Sequence, residues 1–357
     1  MTKSIDISSR VAQPAQPARQ ARLSFKWAIT GIIILILAWM LWSLSLGGWP
    51  ALFDRLSSFT TIFLSIFIEA SPFLLLGSLG SGIVEVFFAD QDISRWVPSN
   101  ALLGAFIGSL MGLFFPVCEC GVVPLTRRLI KRGLPVPVGI SFLLGAPALN
   151  PIVLMSTVVA FGWGPVLWGR VGLTLAIATI TGFIFSLQKD PGSLLNQATL
   201  DFCAVKPASV LEGGAPGAVR LKDRLKQVLV TTADEFFEIG RFLILGAALA
   251  SLLQTVVPQA SLLGMSQGPV LSVLILILLA VLLSVCSTVD AFIALSFAGS
   301  FTTGSILAFL VFGPMVDIKS TVLFLHVFRR KTVVYMILLP LFLTILAAVF
   351  INFNLGL

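Results

Sequence analysis

Three of the four cysteines in this sequence interrupt otherwise apolar, helix-like stretches. Cys118 and Cys120 flank Glu119 in FPVCECGVVP, and Cys286 belongs to SVCSTVDAF, whereas the fourth, Cys203, lies in a polar stretch. Thiolates bind soft, thiophilic ions, and two cysteines two residues apart can also form a redox pair. A structural zinc site is disfavoured, because it requires four nitrogen or sulfur ligands. Since free cysteine is also common as a small buried apolar residue, a structural role stays open beside these two interpretations.

Charged and amide side chains fall in or beside the same kind of interruption. They are Glu119, Asn150 in GAPALNPIV, Asp290, and both Asp317 and Lys319 in GPMVDIKST. An ionisable group inside a membrane is costly, so it is a functional candidate by default. We expect Glu119 or Asp290 to carry protons and Asn150 to contact a bound molecule. The alternative for the charged residues is structural pairing, with Lys319 bonded to Asp317 or Asp290.

The composition of the chain is that of an integral membrane protein. Of its 357 residues, 57% are hydrophobic and 11% are charged, and its mean hydropathy is +1.03, whereas soluble domains carry about 25% charged residues. The net charge of +7 does not indicate nucleic acid binding, because we expect the basic residues to cluster in short loops between apolar runs, as topology determinants do. The sequence contains no P-loop, HExxH, nucleophile elbow or GxGxxG context. We therefore expect neither an enzyme nor a bound cofactor.

Apolar windows predict about nine long transmembrane helices plus two short broken or re-entrant segments. The long windows fall near 27–47, 58–80, 101–117, 136–161, 166–187, 233–257, 269–288, 304–328 and 333–354, and the short pieces near 118–134 and 287–302. The predicted organisation is a disordered cytoplasmic tail (1–26), a first transmembrane helix and loop (27–57), a membrane repeat (58–187), a cytoplasmic linker (188–231) and a second repeat (232–357). The predicted fold class is an all-α integral membrane protein.

The two membrane segments resemble each other in sequence. FIEASPFLLLGSLGSGIVEVF aligns with FFEIGRFLILGAALASLLQTV, which matches Glu69 to Glu238, and nearly the same offset matches Cys118 to Cys286. Cys120 falls opposite Thr288 and so has no cysteine counterpart, which makes it the residue to replace first. Five crossings in each half would place every basic stretch, including RRLIKR, in the cytoplasm and would make the repeats inverted. The alternative is that the short pieces are re-entrant hairpins and the two repeats are parallel. This arrangement violates the positive-inside rule once. We expect Glu69 and Glu238 in the first turns of their helices, in interfacial or structural roles, and His326 at an interface.

The cysteine-bearing block carries a resemblance to a known family. FFPVCECGVVPLTRRLIKRGLPVPVGISFLLGAPALNPIVL, followed by VCSTVDAFIALSF and GPMVDIKSTVLFLHVF, is similar to the predicted permease family that includes organoarsenical efflux permeases. The resemblance covers roughly 58–354. It implies that Cys118, Cys120 and Cys286 bind the substrate, and it matches Asn150 to a polar family position without an assigned role. Asp290 and Asp317 match such positions too. For some members it implies a thioredoxin-like partner.

These observations predict a multi-pass secondary transporter of the inner (plasma) membrane with a cytoplasmic N-terminus. Its substrate site would lie near the midplane, at interrupted helices in matching positions of the two halves. The resemblance implies export of a soft, thiol-reactive small molecule such as a trivalent organoarsenical. The alternatives are a membrane thiol-redox or sulfur-compound protein that works with a thioredoxin-like partner, and a scaffold subunit without transport of its own. Beyond the lipid bilayer, we expect no nucleic acid partner.

Overall fold

The computed structural model describes residues 31, 53–86, 98, 100–114, 117–188, 194–196, 199, 221–256 and 268–354. Most of these residues are helical, and the one β-type contact among them is an isolated bridge between Leu195 and Phe328. Six helical stretches are long and apolar enough to cross a membrane. The predicted all-helical architecture is confirmed for this part of the chain, but nine long helices are not found in it. The tail 1–26 and almost all of the window 27–47 lie outside the described residues.

We number the helices in chain order. They are α1 (Phe53–Val86), α2 (Ala101–Leu110, continued by a 3-10 turn at Met111–Leu113), α3 (Glu119–Lys131), α4 (Val136–Leu149), α5 (Pro151–Phe161), α6 (Pro165–Ser186), α7 (Leu221–Val256), α8 (Leu271–Leu283), α9 (Asp290–Phe297), α10 (Thr303–Met315), α11 (Ile318–Val327) and α12 (Arg330–Asn354). The windows near 101–117 and 269–288 contain the short helices α2 and α8. At about 1.5 Å per residue, each is shorter than the roughly 30 Å hydrocarbon core of a bilayer.

The same order of helices occurs twice along the chain. A long helix, two short ones, a helix in two pieces and another long helix form a first half (α1–α6), and α7–α12 repeat this order. The first piece of each broken helix packs on equivalent neighbours, α4 on α2 and α6, and α10 on α8 and α12. The second piece packs across the halves, α5 on α9 and α11 on α3. The opposite orientation of the two halves in the membrane stays a prediction.

Both broken helices are interrupted by a polar residue that caps the second piece. The side-chain oxygen of Asn150 accepts a hydrogen bond from the Ile152 backbone N–H at 3.0 Å, and Pro151 occupies the first position of α5. Asp317 accepts from the Ser320 backbone N–H at 2.6 Å, and the Ser320 hydroxyl accepts from the Asp317 N–H at 2.9 Å. Such caps satisfy backbone donors that a helix start leaves without partners. The breaks predicted at GAPALNPIV and GPMVDIKST are present.

Close backbone contact fixes the position of α3 against α1. The helix begins at Glu119, directly after the extended residue Cys118. A Cβ added at Gly77 of α1 would overlap the backbone of Gly121 in α3, and a Cβ at Gly121 would lie 2.8 Å from the Phe73 carbonyl oxygen. Only glycine allows two helix backbones to approach this closely. The pair therefore holds the start of α3, with its cysteines, against the second half of α1.

The basic stretch RRLIKR is not a loop. Arg127 and Arg128 lie inside α3 and are buried, and their side chains reach carboxylates on other helices. Our expectation of a loop without specific contacts at these residues was wrong, because they are part of the packed interior; the side of the membrane on which they lie stays a prediction. In the predicted linker 188–231, α7 already begins at Leu221.

Candidate functional site

One small cavity collects most of the residues that the sequence singled out. We call it the three-thiol cavity. It is lined by Ile66, Glu69, Ala70, Cys118, Glu119, Cys120, Cys286 and Lys319. The lining residues come from α1, α3, α11 and the irregular segment before α9. The structure therefore brings together five predicted residues: the three cysteines, Glu119 and Lys319.

The three thiols of this cavity are buried, and Cys118 is in contact with both Cys120 and Cys286, so it stands between them. Cys286 lies just beyond Ser284, whose backbone is left-handed with a φ of 44° and ends α8. Both sulfur-bearing segments therefore come from helix interruptions, one in each half. Within the described residues, no group of three or more His, Cys, Asp or Glu side chains could hold a metal ion.

A buried ion-pair cluster borders the thiols. The Lys319 ammonium lies 3.3 Å from Glu119 Oε1 and 3.4 Å from Asp317 Oδ2, and all three side chains are at most 4% exposed. The structural pair expected between Lys319 and Asp317 is present, and Glu119 joins it. Glu119 Oε2 is buried without a hydrogen-bond partner among the described residues. Lys319 thus links α3 to α11. The cluster has two carboxyl groups for one ammonium group.

Glu69 adds a further carboxyl group at the edge of this cavity. The sequence placed Glu69 and Glu238 in the first turns of their helices, and this was wrong for both. Because α1 and α7 begin as early as Phe53 and Leu221, each glutamate lies midway along its helix. Glu69 is half-buried. It was assigned an interfacial or structural role because the apolar window alone did not show where the helix begins.

Asn150 does not line the three-thiol cavity. Besides capping α5, its side-chain amide donates a hydrogen bond to the Val117 carbonyl oxygen at 3.4 Å. Val117 directly precedes Cys118, so Asn150 braces the extended segment that carries the first thiol. The structure therefore places Asn150 behind the cavity wall instead of on its surface.

Asp290 lies in a separate ion pair, with a partner that the sequence reasoning missed. Arg170 Nη2 donates to Asp290 Oδ2 at 2.7 Å and Nη1 to Oδ1 at 3.0 Å, while Nη1 also reaches the Thr157 hydroxyl at 2.9 Å. Arg170 is fully buried. One sequence feature could have identified Arg170 as a functional candidate: it is the one charged residue in the apolar window 166–187. Asp290 is therefore not bonded to Lys319, the alternative that the sequence left open.

Each half supplies an acid that pairs with a base from the other half. Glu119 stands at the start of α3 and meets Lys319 of α11, while Asp290 stands at the start of α9 and meets Arg170 of α6. A carboxylate at a helix start is favoured by the helix dipole. These two ion pairs connect the halves at the two interruptions.

A second charged group joins the far end of α3 to its neighbours. Arg128 Nη1 lies 3.1 Å from Glu85 Oε2, and its Nε lies 3.6 Å from Glu235 Oε2. Arg127 Nη1 lies 2.9 Å from Glu238 Oε1, which also lies 3.2 Å from the His326 Nε2 atom. The His326 ring stacks on Phe242, so it is packed against α7. Ion pairs thus hold both the cysteine end and the basic end of α3 against neighbouring helices.

The size of the three-thiol cavity limits what it can hold in this conformation. Its volume is about 10 Å³, close to the minimum for a single water molecule. Any larger solute requires the walls to separate. Three buried thiols beside paired charges can bind a soft electrophile reversibly or exchange disulfides, once such an opening gives access.

Comparisons with known proteins give matches along most of the chain. Residues 55–353 match the model of a family described as "Predicted permease". The UPF0718 protein YcgR of Bacillus subtilis is 43% identical over 279 residues, which cover 78% of this chain and 91% of that protein. A Streptococcus mutans protein named "Putative two-component membrane permease complex subunit" is 35% identical over 290 residues, or 79% of this chain and 92% of that protein. No solved structure matches.

Proposed function

The chain belongs to this predicted permease family, and on that premise we propose that it is a secondary transporter that exports a soft, thiol-reactive solute such as a trivalent organoarsenical. The observation that carries the proposal is the contact of Cys118 with both Cys120 and Cys286 on one buried cavity. Trivalent arsenic is a soft centre, and sulfur ligands select such centres over oxygen-preferring ions.

The number of thiols fits a substrate with two exchangeable positions. Methylarsenite has two hydroxyl groups on arsenic, and each can be replaced by one thiol sulfur. Cys118 and Cys286 come from interruptions in different halves, so a substrate bound to both would bridge the halves. Binding would then favour the approach of the halves, and their separation would release the solute.

Transport requires the cavity to open alternately to the two sides of the membrane. The present volume of about 10 Å³ belongs to a closed conformation, because methylarsenite is larger than the single water that such a volume holds. The repeated order of helices, with breaks at equivalent places, supports a carrier built from two pseudo-symmetric, inverted repeats that rock about a central site. We place this carrier in the plasma membrane with its N-terminus in the cytoplasm.

Export of methylarsenite from cells tests the substrate class. Cells that lack this chain should accumulate methylarsenite and grow poorly in it, and restoring the chain should reverse both effects. The variants Cys118→Ser and Cys286→Ser should fail to restore export, whereas Cys203→Ser, a control in the polar stretch, should restore it fully. Unchanged accumulation with and without the wild-type chain would refute export of organoarsenicals.

Thiol redox chemistry is the second candidate, because contacting thiols can also form a disulfide. Cys118 would be the central residue, since it contacts the other two. Trapping of the resting protein with a maleimide separates the two functions. A redox site should gain labelling after dithiothreitol treatment, whereas a substrate site should be fully labelled beforehand and protected by methylarsenite.

The relative that is named as a subunit of a permease complex supports an additional proposal about assembly. We infer that this chain also acts with a second membrane subunit. Purification in a mild detergent from its native host should then yield a stoichiometric second protein. If the chain purifies alone and transports methylarsenite after reconstitution by itself, this proposal is wrong.

A further inference from the structure

Glu69 differs from all the other residues that line the three-thiol cavity. The others are buried, whereas Glu69 is half-buried. It is therefore the lining residue that also reaches the protein surface. Its helix, α1, is held against α3 by the glycine contact described above, so the position of Glu69 beside the cysteines is fixed by packing.

Glu69 is also without a hydrogen-bond or ion-pair partner among the described residues, unlike the other ionisable groups around the cavity. Glu119 and Asp317 share the Lys319 ammonium. A carboxyl group midway along a membrane helix is expensive, and such groups are usually paired or functional. Since neither a paired base nor a structural hydrogen bond accounts for Glu69 in the described residues, a chemical role is the remaining physical reason for its place.

Thiol exchange at arsenic requires a group that takes up a proton and gives it back. When a cysteine thiol replaces a hydroxyl group of methylarsenite, an As–S bond forms and an As–O bond breaks. The S–H proton must leave the sulfur, and one proton must join the departing hydroxyl so that it leaves as water. No proton is gained or lost overall, and arsenic stays trivalent. A carboxylate beside the thiols can carry out both transfers.

We propose that Glu69 is the proton relay of this exchange, and the proposal rests on the proposed export of a thiol-reactive arsenical. Its carboxylate accepts the proton from an attacking thiol and donates it to the hydroxyl that leaves arsenic. Release runs the same steps in reverse, with water replacing the sulfur. The other titratable groups that face the cavity are the three cysteines, Glu119 and Lys319, with Asp317 behind the lysine. Of these, the carboxylates are held by Lys319, which leaves Glu69 free to exchange protons.

The experiment measures how fast methylarsenite protects the buried thiols. Full-length wild-type protein and the Glu69→Gln variant are reconstituted in lipid vesicles, exposed to methylarsenite for varied times and quenched with N-ethylmaleimide. In the variant, the rate of protection should fall by about 100-fold, the lower end of what general acid–base catalysis contributes. The extent of protection at equilibrium should equal that of wild type, because the relay changes no proton balance.

Two further variants serve as a control and as a second test in this experiment. Asp54→Asn removes an exposed carboxylate from the same helix and should behave as wild type. Glu69→Asp retains a carboxyl group, so it should retain rapid protection, and this variant provides the test if Glu69→Gln does not fold. A Glu69→Gln protein with the wild-type rate of protection would overturn the relay and leave export standing. Loss of equilibrium protection in Glu69→Gln would also overturn it, since Glu69 would then hold the substrate or the fold. If methylarsenite fails to protect even wild-type thiols, the relay and the thiol site of the proposed transporter are both refuted.

Discussion

Removing one partner of the Arg170–Asp290 pair should destabilise the protein more than removing both. The pair has two parallel hydrogen bonds of 2.7 and 3.0 Å, and its side chains are 0% and 5% exposed. In Arg170→Met, the Asp290 carboxylate stays buried without its base, and in Asp290→Asn the guanidinium stays buried without its acid. Each single substitution leaves an uncompensated buried charge, which costs about 3–5 kcal/mol.

The double variant leaves no uncompensated charge at this position. The asparagine introduced in place of Asp290 would retain an incompletely bonded amide, which costs about 1–3 kcal/mol. The Thr157 hydroxyl would lose Arg170 but keep its hydrogen bond to the Val153 carbonyl oxygen at 2.8 Å. The two single costs therefore exceed the cost of the double variant, and the coupling energy should be at least about 3 kcal/mol, at the upper end of values for contacting residues.

Reversible unfolding by sodium dodecyl sulfate in mixed micelles, followed by helical circular dichroism, measures these free energies. Asp54→Asn, an exposed carboxylate in α1, serves as the control and should change stability by less than about 0.5 kcal/mol. Additive costs of the two single substitutions would show that the ion pair is not coupled. The reasoning would also fail if Arg170→Met were as stable as wild type.

Two other substitutions test the packing of α3. Gly77→Ala should disrupt the contact of α1 with α3 and raise the rate at which maleimide labels Cys118, because its Cβ would overlap the Gly121 backbone, whereas Gly80→Ala has its nearest neighbouring atom at 3.9 Å and should label at the wild-type rate. Equal labelling of both glycine variants would contradict this. Glu235→Gln should cost about 1.5–3 kcal/mol, the range for a hydrogen bond to a charged group, since Glu235 is buried with Arg128 and Ser81. The adjacent exposed Asp234→Asn is its matched control, and a similar loss in both variants would exclude a specific pair.

The alignment of the two halves gave the most useful prediction about the site. It matched Cys118 to Cys286, and the structure places the two thiols in contact. The alignment favoured Cys120 as the residue to replace first, because it has no cysteine counterpart. The geometry changes that priority to Cys118, which contacts both other thiols. Sequence spacing cannot give this order, since residues two apart at a helix start do not indicate which one faces a distant segment.

The charged residues were predicted least well. A single charged residue in an apolar stretch is recognisable as unusual, but the sequence does not show which acid forms an ion pair with which base. Asp290 was expected beside Lys319 as one alternative, and it pairs with Arg170 instead, more than a hundred residues away. Arg127 and Arg128 were assigned to a loop because basic residues outside the bilayer are the common case. Long-range packing of α3 between α1 and α7 overrides that expectation.

The sequence by itself determined that the protein is helical and membrane-embedded, and where its helices are interrupted. These properties follow from local physics: the length of the apolar runs and the backbone geometry of proline and glycine. Only the tertiary structure decided that Asn150 and Asp317 cap the second pieces of the broken helices, that three thiols converge, that Glu69 lines their cavity, and that the acids at both interruptions pair across the halves. Those contacts join residues far apart in the chain, and their energies depend on the burial and distances that packing creates.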